Sequence, residues 1–408
     1  MTLQRQLAWT LLLQGGGGVA LLLATLWLGK TLGPAPQGQF NQLKSAIEFG
    51  AVLASFGLPQ ALYVHAQTGR IGLPAARRLA AWVALCGLPV GALLAWAGAL
   101  QAALPLALPL AVAVAIAALH LQWRALTLLA ETTWRFNLVT LLPQLLLLPL
   151  AAAVVAMGGL APPAMAWGMA AAYLCSVLWA WRVLAGTRSA AASAGAAPQR
   201  LQVGSLFKHG AATWVAASLG TLAVVLLQHA AQWREGAAAL GMISLALLLA
   251  QVPLTPLNYA LPLLLRQRLR VSPQARVALR PASLWPALPM LALAALAAWA
   301  GQWRSDLWMG AAYDGLHRLV AWLLLAGAAE AVLRLQLVHA QAEQRPHRAA
   351  ISEAVRVAVL ALGVWGGLSL GSASGLVALA MWWALAAWLA LATLAWLARG
   401  GVSTAVLR

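Results

Sequence analysis

Polar positions are so sparse along this chain that their spacing is the pattern to read. Apolar runs of about 20 residues recur from end to end, and as a helix each is long enough to cross about 30 Å of hydrocarbon. They fall at 7–28, 39–64, 79–99, 104–123, 136–157, 163–183, 207–228, 237–264, 282–301, 317–339, 351–370 and 376–398. Lipid offers no partner to a backbone N–H or C=O, so each run is predicted to be a helix that closes its own hydrogen bonds. A transmembrane barrel would instead alternate polar and apolar residues over strands of about ten, and that alternation does not occur. The predicted fold is all-α: a polytopic membrane protein of about 12 transmembrane helices, in two six-helix lobes around a central cavity. The low-complexity stretch Ser189–Pro198 interrupts the pattern near the middle. It divides the chain into an N-terminal lobe at 1–184, a cytoplasmic linker at 185–206 and a C-terminal lobe at 207–408. Gly38 and Pro59 bracket the second span as Gly241 and Pro262 bracket the eighth, an internal echo of the kind found in transporters built from repeats. The first run has no small-residue cleavage site and leads straight into the next, so it reads as a retained helix.

Composition agrees with the pattern. Hydrophobic residues make up 63% and charged residues 8%, against roughly 25% charged in a soluble domain, so water is not the main solvent. The net charge of +18 points to nucleic acid only until its distribution is read. With the amino terminus inside, only Lys30, Arg234, Arg304 and Arg318 fall outside. Lys44 lies within a span, and the rest of the 26 Lys and Arg, Arg356 among them, fall on the inner side or at inner helix ends. This is the positive-inside asymmetry. It sets both termini in the cytoplasm of a multi-pass inner (cytoplasmic) membrane protein and removes the case for nucleic acid. The densest basic run, Arg266 to Arg280, is expected to meet anionic lipid headgroups.

Candidate chemistry is confined to a few residues. Lys44 and Glu48 sit one helical turn apart in the second span, and Glu330 and Arg334 repeat that spacing in the tenth. A charge at mid-membrane costs roughly 2.5–3.5 kcal/mol on insertion scales, so such pairs mark a protein interior or a wet cavity. Each pair either contacts a polar or anionic substrate group, with Glu48 able to carry a coupling proton, or is a self-neutralising structural pair. Gln251 is a further cavity candidate, as is Gln228. Gly15, Gly16, Gly17 and Gly18 cost about 1 kcal/mol each relative to alanine in a helix. They read either as a hinge or as a small-residue packing surface. His229, Trp233 and Arg234 are assigned to an outer loop, and Asp314 with Arg318 to a helix start. Cys86 and Cys175 read as buried structural thiols, with no metal or disulfide pattern. No catalytic motif and no cofactor or metal motif is present.

One stretch goes further. Leu32-Gly-Pro-Ala-Pro-Gln-Gly-Gln-Phe40 leads into Ser45-Ala-Ile-Glu-Phe-Gly-Ala-Val-Leu-Ala-Ser-Phe-Gly-Leu-Pro-Gln-Ala-Leu62. This resembles the L-G-P-x-x-x-G pattern and following helix of polysaccharide flippases, of the lipid-linked oligosaccharide or O-antigen type. Those belong to the multidrug/oligosaccharidyl-lipid/polysaccharide exporter superfamily. Ala239-Leu-Gly-Met-Ile-Ser-Leu-Ala246, followed by Pro253 and Pro256, is similar to the same family in the second half. Members often carry an acidic residue near the end of the seventh helix, where this chain has Gln228-His229. The resemblance implies a non-enzymatic flippase that turns a polyprenyl-pyrophosphate-linked oligosaccharide from the inner to the outer leaflet by alternating access, for cell-surface polysaccharide synthesis. It implies as partners the lipid-linked glycan, membrane lipids, and polysaccharide polymerase or assembly proteins. Lys44, then Arg334, are the expected contacts of the anionic head. The alternatives are a cation-coupled drug or metabolite antiporter of the same superfamily, and a membrane glycosyltransferase or ligase. The last would need an outer loop with clustered acidic, His or Arg residues, and the largest outer loop has only Arg304, Asp306 and Asp314.

Overall fold

The computed structural model describes residues 3–67, 69–97, 103–130, 133–187, 203–258, 260–261, 264, 284–300, 309–342, 345–366 and 375–403. The α-helices whose bounds are described are α1 Leu3–Leu32, α2 Pro34–Ser55, α3 Leu58–Gln67, α4 Leu73–Ala84, α5 Gly87–Trp96, α6 Ala103–Thr127 and α7 Thr133–Ala156. These are followed by α8 Pro162–Ala185, α9 Val203–Glu235, α10 Ala237–Gln251, α11 Ala287–Ala300, α12 Leu316–Ala342, α13 His347–Trp365 and α14 Gly375–Ser403. A helix lies at every predicted span, and the chain is an all-helical, multi-pass membrane protein. Among the described residues nine helical segments are long and apolar enough to cross a bilayer, and α2 with α3 forms a tenth. The helices α11 and α13 occupy the two remaining spans. The basic run from Arg266 to Arg280, Pro262, Arg304, Asp306 and linker residues 188–202 lie outside the described residues.

Three expectations change. The second span is not one rod: α2 and α3 meet at a 51° bend. Phe56 and Gly57 form the break, both with positive φ. The third span, by contrast, runs through α4 and α5 as one crossing, with helical backbone angles at Leu85 and Cys86. His229, Trp233 and Arg234 are helical residues of α9, because Gly236 alone, at φ +89°, turns the chain into α10. Neither cysteine is buried; Cys175 is exposed and Cys86 intermediate. An exposed thiol suits a bilayer-spanning helix because it behaves as a small hydrophobe.

The contacts group into two compact units, Met1–Ala24 with Gln42–Thr221, and Thr25–Asn41 with Leu222–Arg408. In the first, α6 packs against α5 and α8, and α7 against α8. Helix association in lipid gains little from the hydrophobic effect and relies on close contact of small residues. The α5–α6 seam shows it. Cβ atoms added at Gly87 and Gly91, four residues apart on α5, would fall 2.5 and 2.6 Å from the Cα atoms of Ala115 and Ala111. A second seat of packing joins Leu58, Leu62, Ile71, Leu126, Leu184 and Leu206, flanked by Phe56 and Phe207. In the second unit α12 is the central helix, packed on α10, α11 and α14, while α13 packs on α14. The 25–41 segment belongs here. A Cβ at Gly38 would fall 2.6 Å from the backbone nitrogen of Gly241, and one at Gly241 would strike the Pro34 carbonyl. Beside this crossing the Tyr313 hydroxyl donates to Gln37 Oε1 at 2.7 Å.

Candidate functional site

In the first unit, Lys44 and Glu48 lie on one face of α2, and Lys44 Nζ donates to Glu48 Oε1 at 2.7 Å. Their side chains are 20% and 43% exposed, so the pair is open on the carboxylate side. Helix α8 brings Tyr173 to them, its hydroxyl donating to Glu48 Oε1 at 3.4 Å. The ring of His120, on α6, lies 5.4 Å from that of Tyr173. Ser176 Oγ lies 2.6 Å from the Val139 carbonyl and 3.0 Å from His120 Nδ1. A hydroxyl has one proton, and the carbonyl, which can only accept, takes it. His120 Nδ1 is therefore the donor to Ser176, which assigns the tautomer of that ring. The polar face thus runs over α2, α8 and α6, and Tyr173 and His120 are members that no spacing in the sequence indicates.

The four glycines of α1 lie in unbroken helix. Among the described residues no atom lies within 4 Å of a Cβ added at Gly15 or Gly16, whereas Gly17 stands against the Gln144 and Leu141 side chains. One turn before, Gln14 is buried and donates to the Asn137 carbonyl at 2.9 Å, and Asn137 Nδ2 donates to Thr10 Oγ1 at 3.0 Å. Packing by a small residue is thus visible at Gly17, and open space at its two predecessors.

In the second unit, Glu330 and Arg334 pair as their spacing suggests, Arg334 Nη2 donating to Glu330 Oε2 at 2.8 Å. The structure adds three polar partners. Arg356, on α13, donates to Glu330 Oε1 at 2.6 Å. Arg334 donates through its other nitrogen to Asn258 Oδ1, and Glu353 Oε2 lies 3.6 Å from Arg356 Nη1. The Arg356 guanidinium is stacked 4.3 Å over the Trp383 ring of α14, a cation–π contact. Arg356 is therefore not an inner-surface charge. It is buried, and it is withdrawn from the positive-inside tally because Glu330, 26 positions earlier, neutralises it. Two carboxylates and two guanidiniums form one buried cluster, of which Arg334 is the most exposed member at 22% against 6% for Glu330. The i, i+3 spacing of Glu353 and Arg356 was the one signal in the sequence that could have revealed it.

Gln251 lies half-buried at the end of α10, where its carbonyl accepts from Thr255 Oγ1 at 3.0 Å. It stands outside the charged cluster's hydrogen bonds. Gln228 is buried and donates to Ser244 Oγ at 3.2 Å. Asp314 accepts from the Gly315 N–H at 2.8 Å at the start of α12. Among the described residues no three His, Cys, Asp or Glu side chains are placed to hold a metal ion.

No family model matches the chain, and no curated protein matches it. Solved structures do. An inward-facing multidrug resistance MATE family transporter of the MOP superfamily is similar at a TM-score of 0.65 and 16% identity, over 95% of both chains. An outward-facing structure of a transporter so described is similar at 0.65 and 14% identity, over 98% of this chain and 95% of the other. A MATE structure in a straight conformation is similar at 0.64 and 15%, over 98% and 96%. At such identities the likeness is one of fold. The chain has the fold of MATE transporters of the MOP superfamily, one that is seen in inward- and outward-facing forms.

Proposed function

We propose that this protein is a non-enzymatic transporter that moves an amphipathic, anionic-headed molecule across the cytoplasmic membrane by alternating access. Its substrate is a polyprenyl-pyrophosphate-linked oligosaccharide, turned from the inner to the outer leaflet for cell-surface polysaccharide synthesis. The reading is supported by a fold shared with transporters and by the motifs at Leu32–Phe40 and Ala239–Ala246. The observation that carries it is the arrangement around Glu330. Both of its oxygens are taken by guanidiniums, so the accessible charge of the cluster is the cation Arg334, which suits an anion. Lys44 is the second contact for the head.

A second reading, a cation-coupled antiporter, is favoured by Glu48. That carboxylate is 43% exposed and, among the described residues, held by a single cation. Deletion of the gene in a strain without a redundant transporter, with the leaflet of the lipid-linked glycan assayed, separates the two. The expected result is accumulation in the inner leaflet, reproduced by Lys44→Ala and Arg334→Gln proteins that insert normally. Normal arrival at the outer leaflet in the deletion strain overturns the flippase assignment. Loss of drug efflux in Glu48→Gln, with glycan export intact, supports the antiporter.

A further inference from the structure

We propose that the Glu330–Arg334–Glu353–Arg356 cluster takes up an anion and a proton together, the anion at Arg334 and the proton at Glu353. The inference rests on the reading of Arg334 as the contact of the anionic head, and it names what travels with that anion.

The argument is one of charge counting in a buried site. Glu330 accepts from Arg356 at 2.6 Å and from Arg334 at 2.8 Å, and two charge-assisted hydrogen bonds hold it as the carboxylate. Glu353 is held differently. It is buried, and among the described residues its nearest cation nitrogen is 3.6 Å away and its Oε2 has no hydrogen-bond partner. A contact of 3.6 Å is an ion pair without a hydrogen bond. A proton can therefore come and go at Glu353 without displacing a guanidinium N–H, and Arg356 stays neutralised by Glu330 in either state.

The groups that face Glu353 complete the count. Helix α12 brings Glu330 and Arg334, α13 brings Arg356, and the segment after α10 brings Asn258 on the far side of Arg334. Helix α14 brings the Trp383 ring and has no titratable residue between Gly375 and Ala398. With Glu353 ionised the four side chains sum to zero. An anionic head arriving at Arg334 would then leave at least one uncompensated negative charge in a buried site, which low-dielectric surroundings disfavour. With Glu353 protonated the cluster carries one positive charge. One negative charge of the arriving head is then matched by Arg334 while Glu330 stays matched by Arg356, so the site holds one negative charge fewer than with Glu353 ionised. The proton comes from water, an O–H bond forms at Glu353, and no other bond is made or broken. By reciprocity each ligand strengthens binding of the other. Proton and anion therefore occupy the same state of the protein.

The experiment uses the full chain in detergent micelles with farnesyl pyrophosphate as the probe. Isothermal titration is run in buffers of differing ionisation heat, between about pH 7.5 and 9. Wild-type protein is expected to take up close to one proton per probe bound beyond what Glu353→Gln takes up, which cancels the probe's own titration. Its Kd should weaken about tenfold per pH unit relative to that variant, the slope of a one-proton linkage. Glu353→Gln, which mimics the protonated form, should bind the probe tightly with a Kd that does not follow this slope, and Arg334→Gln should bind it at least tenfold more weakly. Wild-type binding with no excess proton uptake overturns the linkage while leaving Arg334 as the anion contact. No binding by wild type, or undiminished binding by Arg334→Gln, overturns that contact and the linkage with it. Should Glu353→Gln fail to fold, the titration of the free probe is measured separately and subtracted from the wild-type uptake, and a wild-type protein left with no excess proton refutes the linkage.

Discussion

Replacing Glu330 by Gln removes one charge and changes almost no volume, so it isolates the electrostatic role of this side chain. The amide oxygen can still accept from one guanidinium, but the amide nitrogen is turned toward the other. Arg334, 22% exposed, can rehydrate, and its loss is worth no more than about 1 kcal/mol, as for partly solvated pairs. Arg356 cannot, because it is buried between Glu330 and the Trp383 ring. Removing one partner of a buried ion pair costs about 3–5 kcal/mol, since an uncompensated charge is left behind. Glu353, 3.6 Å away, can close on Arg356 and recover part of this, so the expected loss is at the lower end, about 3 kcal/mol. Unfolding of the purified protein in mixed micelles with increasing SDS measures it. The double variant Glu330→Gln/Arg356→Met, which removes the stranded charge, should regain most of the loss. If Glu330→Gln stays within about 0.5 kcal/mol of wild type, the range of an ordinary surface change, the cluster is hydrated and the charge-counting argument fails.

Three further outcomes are expected. Gly241→Ala drives a methyl into the Pro34 carbonyl and should destabilise the protein by about 1–3 kcal/mol, as overpacking does. Gly16→Ala, which meets no other atom among the described residues, should leave the stability in SDS unchanged or raise it by up to about 1 kcal/mol. If Gly16→Ala also slows transport, α1 must bend there; transport at the normal rate removes the hinge role of that residue. In 15N spectra of histidine-labelled protein, His120 should show the Nδ1–H tautomer, and Ser176→Ala should abolish that preference. An Nε2–H signal for His120 in the wild-type protein refutes the proton count at Ser176.

The candidate site was legible in part. Lys44 with Glu48 and Glu330 with Arg334 are one-turn pairs, and a helix brings such neighbours together whatever else it packs against. Glu330 with Arg356 and Glu48 with Tyr173 are pairs between helices, 26 and 125 positions apart, and no local pattern encodes them. Arg356 reads as an inner charge for a definite reason. A basic residue five positions from a span's inner end looks like an orientation signal until a buried carboxylate is found beside it.

The sequence by itself determined that the chain crosses a membrane as helices and where nearly every helix lies. Satisfying backbone hydrogen bonds in lipid is a local demand, met within each run of about 20 residues. The tertiary structure decided which faces meet and where a span breaks. An apolar helix face suits lipid and a neighbouring helix equally well, so hydropathy is blind to the difference. Only the packing of α12, α13 and α14 shows that Glu330 holds two guanidiniums, and only the bend at Phe56–Gly57 shows that the second span is two helices.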